Sequence, residues 1–549
     1  MKIAKTAVMA GMALLLFGCG DSQLDGALDT ITADELSADI QVLSSDEFEG
    51  RGPASPGEDS TINYLRARFQ EVGAQPGNGD SYFQQVPLVS ITAEPSAILQ
   101  VRGRGPTVRF DYADEFVAWT KRVVDSERIR NSEMVFVGYG IVAPENDWND
   151  YEGVDVTGKT VVILVNDPGF ATQDPDVFNG NAMTYYGRWT YKFEEAARQG
   201  AAGAFVIHET APASYPWETV RNSWTGPQFA LVDENNNMSR VAVEGWLHHE
   251  TASTLFERAG LDYDSLKIAA QQSGFQAVSM GQTASVSLRN NVIRSVSNNV
   301  LALVPGSDRA DEYIFYTAHW DHFGKKPELE GDQIFNGALD NATGISALVE
   351  LAEAFVGLEQ PQSRSMVFMA VTAEEQGLLG SAYYAANPIY PLDKTVAAIN
   401  MDALNILGPM HDISIVGYGN SELDDYLVEA AAIQDRVVNP ETRPEAGSYY
   451  RSDHFNFAKV GVPALYTGSG VDHVEHGPEW TRERSEEYSA NHYHQPSDEY
   501  DPNWDLSGAI DDIRLFFRIG YRLANETTFP NWNEGTEFKA IRDEMMAGR

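Results

Sequence analysis

The clearest pattern of hydrophobic residues lies in the second half of the chain. Continuous apolar runs at residues 313–318, 365–371 and 395–400 have the length of buried strands, and the segment 344–355 repeats its apolar residues at helical spacing. Alternating buried strands and helices predict a mainly parallel sheet with helices on both faces. We therefore predict an α/β fold whose larger domain has three layers, with the central sheet flanked by helices.

The first half of the chain has weaker signals. Residues 33–49 are predicted to form a helix leading into an exposed loop, which the segment 50–53 breaks, and helical spacing resumes over 62–72. A second unit is predicted to begin near Met134, and it contains a continuous apolar strand at 160–165. Because nothing in this unit has catalytic spacing, we expect the chemistry to lie elsewhere.

Length and charge limit the classes of function. A chain of 549 residues exceeds one ordinary domain, and 43% hydrophobic with 11% aromatic residues is typical of globular proteins. The formal net charge is −41, which argues against nucleic acid as a partner because an acidic surface repels phosphate groups. Solubility explains this charge, and attraction of metal ions or cationic peptides is the alternative.

The N-terminal residues have the layout of a secretory signal. Two lysines precede an apolar run at residues 7–17, which is too short to span a bilayer and leads to Cys19, the single cysteine. The segment before Cys19 resembles a bacterial lipobox, and the alternative is a plain signal peptide with an incidental cysteine. We predict a signal peptide at 1–19, a tether at 20–30, and export to the bacterial cell envelope as an outer-membrane lipoprotein. A lipid anchor would then be the chain's one contact with a membrane.

Acidic residues and a histidine follow the predicted strands of the C-terminal sheet. Sites in such folds lie beyond the carboxyl ends of the strands. Taken singly, each residue is explained by a surface pair, a solvated face or a helix cap, but their occurrence at successive strand ends favours the ligand set of hydrolytic zinc. The candidates are His319, Asp321, Asp340, Glu374, Glu375 and Asp402.

Five segments resemble those of a known family. They are Thr317–His322, Asn336–Gly344, Ala373–Ser381, Asn400–Asp402 and Tyr493–Asp498. Their order is similar to that in the co-catalytic di-zinc exopeptidases, which include secreted bacterial aminopeptidases, the glutamate carboxypeptidases and the transferrin receptor. The resemblance implies a peptidase domain formed by residues 31–133 and 286–549. Residues 134–285 resemble the protease-associated domain often inserted in these enzymes, a smaller β-rich α+β domain.

The same resemblance implies a site for two zinc ions. One ion would be bound by His319 and Asp402. The other would be bound by Glu375 and His494, and Asp340 would bridge both. Two zinc ions that share one water can polarise the carbonyl group of a peptide bond and supply hydroxide at neutral pH.

Three further residues receive catalytic roles from the resemblance. Asp321 would orient His319, Glu374 would be the general base, and the hydroxyl of Tyr493 would donate to the oxyanion. We therefore predict a zinc aminopeptidase that removes N-terminal residues from peptide substrates.

Several alternatives stay open. Arg451 would favour a carboxypeptidase or dipeptidase if it binds a free carboxylate, although a surface or structural arginine is equally consistent. Glutaminyl cyclase shares the fold and uses a single zinc ion, and the transferrin receptor keeps the fold as a binding protein without peptidase activity. The oligomeric state is not predicted by the sequence.

Overall fold

The computed structural model describes residues 24–94 and 97–548. The predicted signal peptide at 1–19 lies outside the described residues. Within the described ranges, no helix is both long and apolar enough to cross a membrane.

The described chain divides into two compact units. The first unit comprises the residues up to Val86, Ser297–Glu441, and the residues from Ser452 onward. The second comprises Pro87–Val296 and Thr442–Arg451.

One sheet forms the centre of the first unit. Its strands are the C-terminal end of β1 (Val278–Val304), β2 (Arg309–His319), β3 (Arg364–Val371), β4 (Thr395–Asn400), β5 (Asp412–Ile415), β6 (Val437–Pro440) and β7 (Ala464–Gly468). The short strand Gln75–Pro76 also pairs with the end of β1, and the short strands Gly324–Lys325 and Ile334–Phe335 pair with each other in a separate sheet. The order across the sheet is β1, β3, β2, β4, β7, β5, β6. The four central strands β3, β2, β4 and β7 are parallel, and β1 is antiparallel to β3. The prediction of a mainly parallel sheet is confirmed.

Nine α-helices of this unit lie wholly within residues 24–94 and 97–548. They are α1 (Ala33–Leu43), α2 (Pro56–Glu71), α3 (Thr343–Val356), α4 (Leu379–Ala386), α5 (Leu423–Ile433), α6 (His454–Lys459), α7 (Gly477–Asn491), α8 (Ser507–Asn525) and α9 (Lys539–Ala547).

Helices cover both faces of the sheet. Successive side chains of a strand point to opposite sides, so neighbouring residues of one strand contact helices on different faces. On one face, the Phe315 ring of β2 contacts Tyr384 of α4 and Phe457 of α6. On the other face, the next residue, Tyr316, packs against Phe355 of α3 and donates a hydrogen bond to a carbonyl of α8. All eight residues of β3 are buried, as expected for a strand covered on both faces. The unit therefore has three layers.

Two segments of this unit have features that the sequence pattern did not indicate. Asp46 and Glu47, in the loop predicted to be exposed after α1, are exposed. Arg51, in the segment 50–53 that follows, is only 1% exposed, because its guanidinium group turns inward to main-chain carbonyl groups. The acidic segment before His494 contains the helix α7, in which only Thr481 is buried. A helix that is polar all round has no apolar period, so the hydrophobic pattern could not indicate it.

The second unit is an α+β structure. Three parallel strands, Thr160–Leu164, Gly203–Ile207 and Val243–Leu247, form its centre. Its other strands are Phe83–Ala93, Ile98–Arg102, Val108–Asp111, Phe116–Trp119, Ser126–Phe136, Val142–Ala143, Trp148–Asn149, Gln228–Leu231 and the first part of β1. Its helices are Pro168–Thr172, Trp189–Arg198, Thr210–Ala213, Trp217–Trp224, His249–Ala259 and Tyr263–Ala269.

This unit is wider than the predicted insert at 134–285. Phe116–Trp119 pairs with the strand Val243–Leu247, and Ile98–Arg102 pairs with β1 around Ala284. Strands that precede Met134 therefore belong to the same compact unit. The sequence pattern did not reveal this, because strand pairing joins residues more than a hundred positions apart.

Candidate metal centre

The predicted ligands lie at the carboxyl ends of three adjacent parallel strands. His319 is the last residue of β2, Glu375 lies four residues beyond the end of β3, and Asp402 lies two residues beyond the end of β4. Because β3, β2 and β4 are neighbours in the sheet, their ends place these side chains at one edge.

The carboxylate of Asp340 faces two histidines. This residue precedes α3, and its Oδ1 atom lies 3.2 Å from Nε2 of His319. Its other oxygen, Oδ2, lies 3.2 Å from Nε2 of His494. One carboxylate therefore presents each of its oxygens to a different imidazole, which is the arrangement that a bridging ligand requires.

Each histidine also faces a second carboxylate. The distance from His319 Nε2 to Asp402 Oδ1 is 3.3 Å, and that from His494 Nε2 to Glu375 Oε2 is 3.3 Å. Around a tetrahedral zinc ion with bonds of about 2.0 Å, neighbouring ligand atoms are about 3.3 Å apart. The spacings of both groups thus fit zinc, with Asp340 shared between them.

The charges of the site also fit a cation. Burial and the neighbouring carboxylates raise the pKa of Glu374 and of Glu375 well above the usual range, although histidines oppose the shift. Burial alone would lower the pKa of His319, but the carboxylates of Glu374 and Asp402 raise it well above its usual range. Carboxylates are therefore in excess here, and divalent cations would neutralise the repulsion between them.

Asn341 links two of the ligand loops. Its Nδ2 atom donates to the carbonyl of Met401 at 3.0 Å, and its Oδ1 atom accepts from the amide of Ala403 at 3.1 Å. These two residues flank Asp402, so the residue after Asp340 fixes the backbone on both sides of another predicted ligand.

Residues 299–517 match the model of Peptidase family M28. This part of the chain is an M28 peptidase domain. Over 128 residues the chain is 30% identical to Aminopeptidase NAALADL1 of Mus musculus, covering 22% of this chain and 16% of the mouse protein. Over 207 residues it is 28% identical to the Glutamate carboxypeptidase 2 homolog of Caenorhabditis elegans, covering 35% of this chain and 24% of that protein. The chain spans less than a quarter of the length of these two curated relatives.

Among solved structures, the aminopeptidase from Aneurinibacillus sp. strain AM-1 aligns with 92% of this chain and 97% of its own. The TM-score is 0.49 and the sequence identity is 19%.

The orienting contact of His319 in the M28 domain differs from the prediction. Its Nδ1 atom lies 3.1 Å from the main-chain carbonyl of Asp321 rather than bonding the carboxylate. The Asp321 carboxylate, which is fully buried, accepts the main-chain N–H of Glu374 at 3.0 Å instead. The carboxylate of Asp321 therefore holds the loop that carries Glu374, while the main-chain carbonyl of Asp321 orients the ring of His319.

The remaining catalytic candidates lie beside the ligands. A carboxylate oxygen of Glu374, a ring nitrogen of His319 and a carboxylate oxygen of Asp402 all lie within 4.8 Å of one another. The ring of Tyr493 stacks on His494, with 3.7 Å between the ring centroids, and its side chain is half exposed. The exposure of Tyr493 suits a group that contacts a substrate.

Two contacts of the M28 site were not predicted from the sequence. His322 Nδ1 lies 2.6 Å from Glu375 Oε1, which leaves Oε2 directed at His494. Ser452 Oγ donates to Asp402 Oδ2 at 2.7 Å. The one sequence signal for His322 was its place three residues after His319, which does not distinguish a structural histidine from a functional one.

The other histidines near this site have different surroundings. His492 Nδ1 lies 2.9 Å from the carbonyl of Ser497, so this neighbour of His494 is engaged outside the ligand group. His454 is fully buried and its ring packs against Tyr466.

Proposed function

We propose that this chain is an exported aminopeptidase that uses two zinc ions to hydrolyse the N-terminal peptide bond of peptides. The observation that supports it most directly is the Asp340 carboxylate, whose two oxygens face two separate histidine–carboxylate pairs. The M28 match and the named aminopeptidase relative support the reaction class. Export and lipidation at Cys19 rest on the N-terminal sequence pattern.

The residues present divide the reaction between them. His319 and Asp402 would hold one zinc ion, His494 and Glu375 the other, and Asp340 both. When bound, the ions would supply Lewis acidity, which lowers the pKa of water and polarises a carbonyl group.

Two side chains would handle the proton and the developing charge. Glu374 would accept a proton from water and deliver it to the leaving amine, which requires a carboxylate near the ions that is not itself committed to them. The hydroxyl of Tyr493 would donate a hydrogen bond to the oxyanion of the substrate. Its side chain is half exposed, which would allow it to approach a bound peptide.

A carboxypeptidase or dipeptidase is the second candidate, and two arginines of the second unit have the chemistry to bind a free carboxylate. Arg188 is 8% exposed, its Nε atom has no hydrogen-bond partner among the described residues, and no carboxylate of those residues forms an ion pair with it or with Arg451. Burial, and then the charge of Arg451, lower the pKa of Arg188 to about 9. Two neighbouring guanidinium groups without an anion would be stabilised by a free carboxylate of a substrate.

A substrate panel with zinc analysis distinguishes these functions. The chain without residues 1–19 would be assayed on aminoacyl-anilides, on peptides with free or acetylated N-termini, and on peptides with free or amidated C-termini. Two zinc ions per chain, with cleavage lost on acetylation, are expected for the aminopeptidase. Loss of cleavage on amidation would instead identify the second candidate. One zinc ion or none, without hydrolysis of any peptide, would contradict both and favour a cyclase or a binding protein.

A further inference from the structure

Arg51 lies in the turn that follows α1, far from the ligands in sequence. It is 1% exposed, and each of its three side-chain nitrogens donates to a main-chain oxygen. Nε donates to the carbonyl of Trp320 at 2.9 Å, and Nη2 donates to that of Gly337 at 2.8 Å. Nη1 donates to the carbonyls of Asn336 at 2.5 Å and of Leu43 at 2.8 Å.

Three of these four carbonyl groups belong to ligand loops. Trp320 directly follows His319, and Gly337 lies three residues before Asp340. The main chain of the turn also contacts the loop after His319, since the carbonyl of Arg51 accepts the N–H of His322 at 3.2 Å. The planar guanidinium fork thus joins the loop of one zinc ligand to the loop of the bridging ligand.

The turn can approach these loops because of Gly50. A Cβ atom at this position would lie 2.6 Å from the carbonyl oxygens of Gly324 and Phe335, both in the segment between His319 and Asp340. Its φ of 66° is also in the left-handed region that favours glycine. The side chain of Arg51 is thereby held against both loops at once.

Arg51 makes no ion pair among the described residues, so its charge is not used in a salt bridge. Burial lowers its pKa to about 10, and the carboxylates of Asp498, Asp340, Asp321 and Glu375 oppose this shift. It is therefore cationic at neutral pH, and a cation near a metal site would by itself repel zinc. The charge does not explain why an arginine lies here, whereas the geometry of its donors does.

We infer that Arg51 is a positioning residue of the metal centre, whose guanidinium fork fixes the spacing between the His319 loop and the Asp340 loop. This inference rests on the two-zinc site proposed above and is independent of which peptide bond is cleaved. It predicts that zinc affinity depends on the shape of the donor group at position 51 and not merely on its charge.

The test compares two identical substitutions. Arg51→Lys keeps the charge and removes the fork. Arg364→Lys is the matched control, because Arg364 is also fully buried and donates to Glu312 and to the carbonyl of Leu523, away from the ligand loops. Zinc affinity would be measured by competition with a chelator, without substrate, together with urea unfolding of the metal-free proteins and the absorption spectrum of the cobalt-loaded forms.

We expect Arg51→Lys to lower zinc affinity by about 10- to 100-fold and to change the cobalt spectrum, as removal of groups that orient ligands does elsewhere. Arg364→Lys should lower stability but leave zinc affinity within about twofold of wild type. Equal zinc affinity in wild type and both variants would overturn the inference, as would an equal loss in both variants. If Arg51→Lys does not fold, Arg51→Gln, which keeps two N–H donors, is measured in the same way. Wild-type protein that binds no zinc would instead refute the metal centre itself.

Discussion

Replacing Glu374 with glutamine tests the assignment of the general base. The structure gives Glu374 two possible roles, because its carboxylate lies close enough to His319 and Asp402 to be a ligand as well as a base. Glutamine has the same shape and cannot accept the proton of water. Its main-chain N–H would still bond Asp321, so the loop should keep its position.

The expected effect follows from the chemistry of proton transfer. A positioned general base contributes about 10²- to 10⁴-fold to the rate, and each tenfold corresponds to about 1.4 kcal/mol of barrier. Glu374→Gln should therefore lower kcat by that factor, or about 3 to 5 kcal/mol. The KM should change little, and the zinc content should stay at the wild-type value, because the ligand pairs around Asp340 are complete without Glu374.

The assay is steady-state hydrolysis of an aminoacyl-anilide, with zinc determined by elemental analysis on the same samples. Glu353→Gln, in the last turn of α3, is the control for loss of one carboxylate from the first unit. A variant that loses one zinc ion along with its activity would show that Glu374 is a ligand. A variant with wild-type kcat would show that another group takes the proton.

Three further predictions concern the ligands and the pH dependence of stability. Asp340→Asn should abolish binding of both zinc ions and His494→Ala should leave one, as measured by elemental analysis; equal zinc content in the two variants would contradict a bridging Asp340. His322→Ala should weaken zinc binding about tenfold or more, because Glu375 loses its contact at Oε1, and unchanged affinity in a chelator competition would refute this. Burial raises the pKa of Glu350 from 4.5 to about 8, so the folded chain binds a proton more tightly than the unfolded chain. This contribution to stability is complete below about pH 4.5 and is lost as the pH rises to about 8. The free energy of unfolding of Glu350→Gln, measured with urea, should therefore increase relative to that of wild type as the pH rises. A difference between the two proteins that does not vary with pH would contradict this prediction.

Much of the first unit could be predicted from local pattern. The buried strands at 313–318, 365–371 and 395–400 are all strands in the structure, with bounds extended by a few residues at most. Continuous apolar runs of this length are constrained by burial on both faces, which does not depend on distant partners. The order of strands and helices then placed His319 and Asp402 at one edge, and both lie there.

The polar segments were less predictable. Helix α7 has no apolar stripe, and no sequence pattern indicated that Arg51, in the turn after α1, is buried. The second unit extends beyond 134–285 because its sheet recruits strands such as Phe116–Trp119. The contacts that bury the Arg51 turn and pair the strand Phe116–Trp119 join residues far apart in the sequence, and hydrophobic periodicity reports only on neighbouring residues.

The sequence by itself determined the type of each buried element and the kind of side chain at each strand end, because burial and strand polarity are local properties of the chain. The tertiary structure alone decided which atoms meet: that the two oxygens of Asp340 face different histidines, that His322 contacts Glu375, and that Arg51 joins two loops. These contacts depend on loop paths and side-chain orientations that only the packed fold fixes. Candidate ligands can therefore be predicted from spacing, whereas their geometry requires the fold.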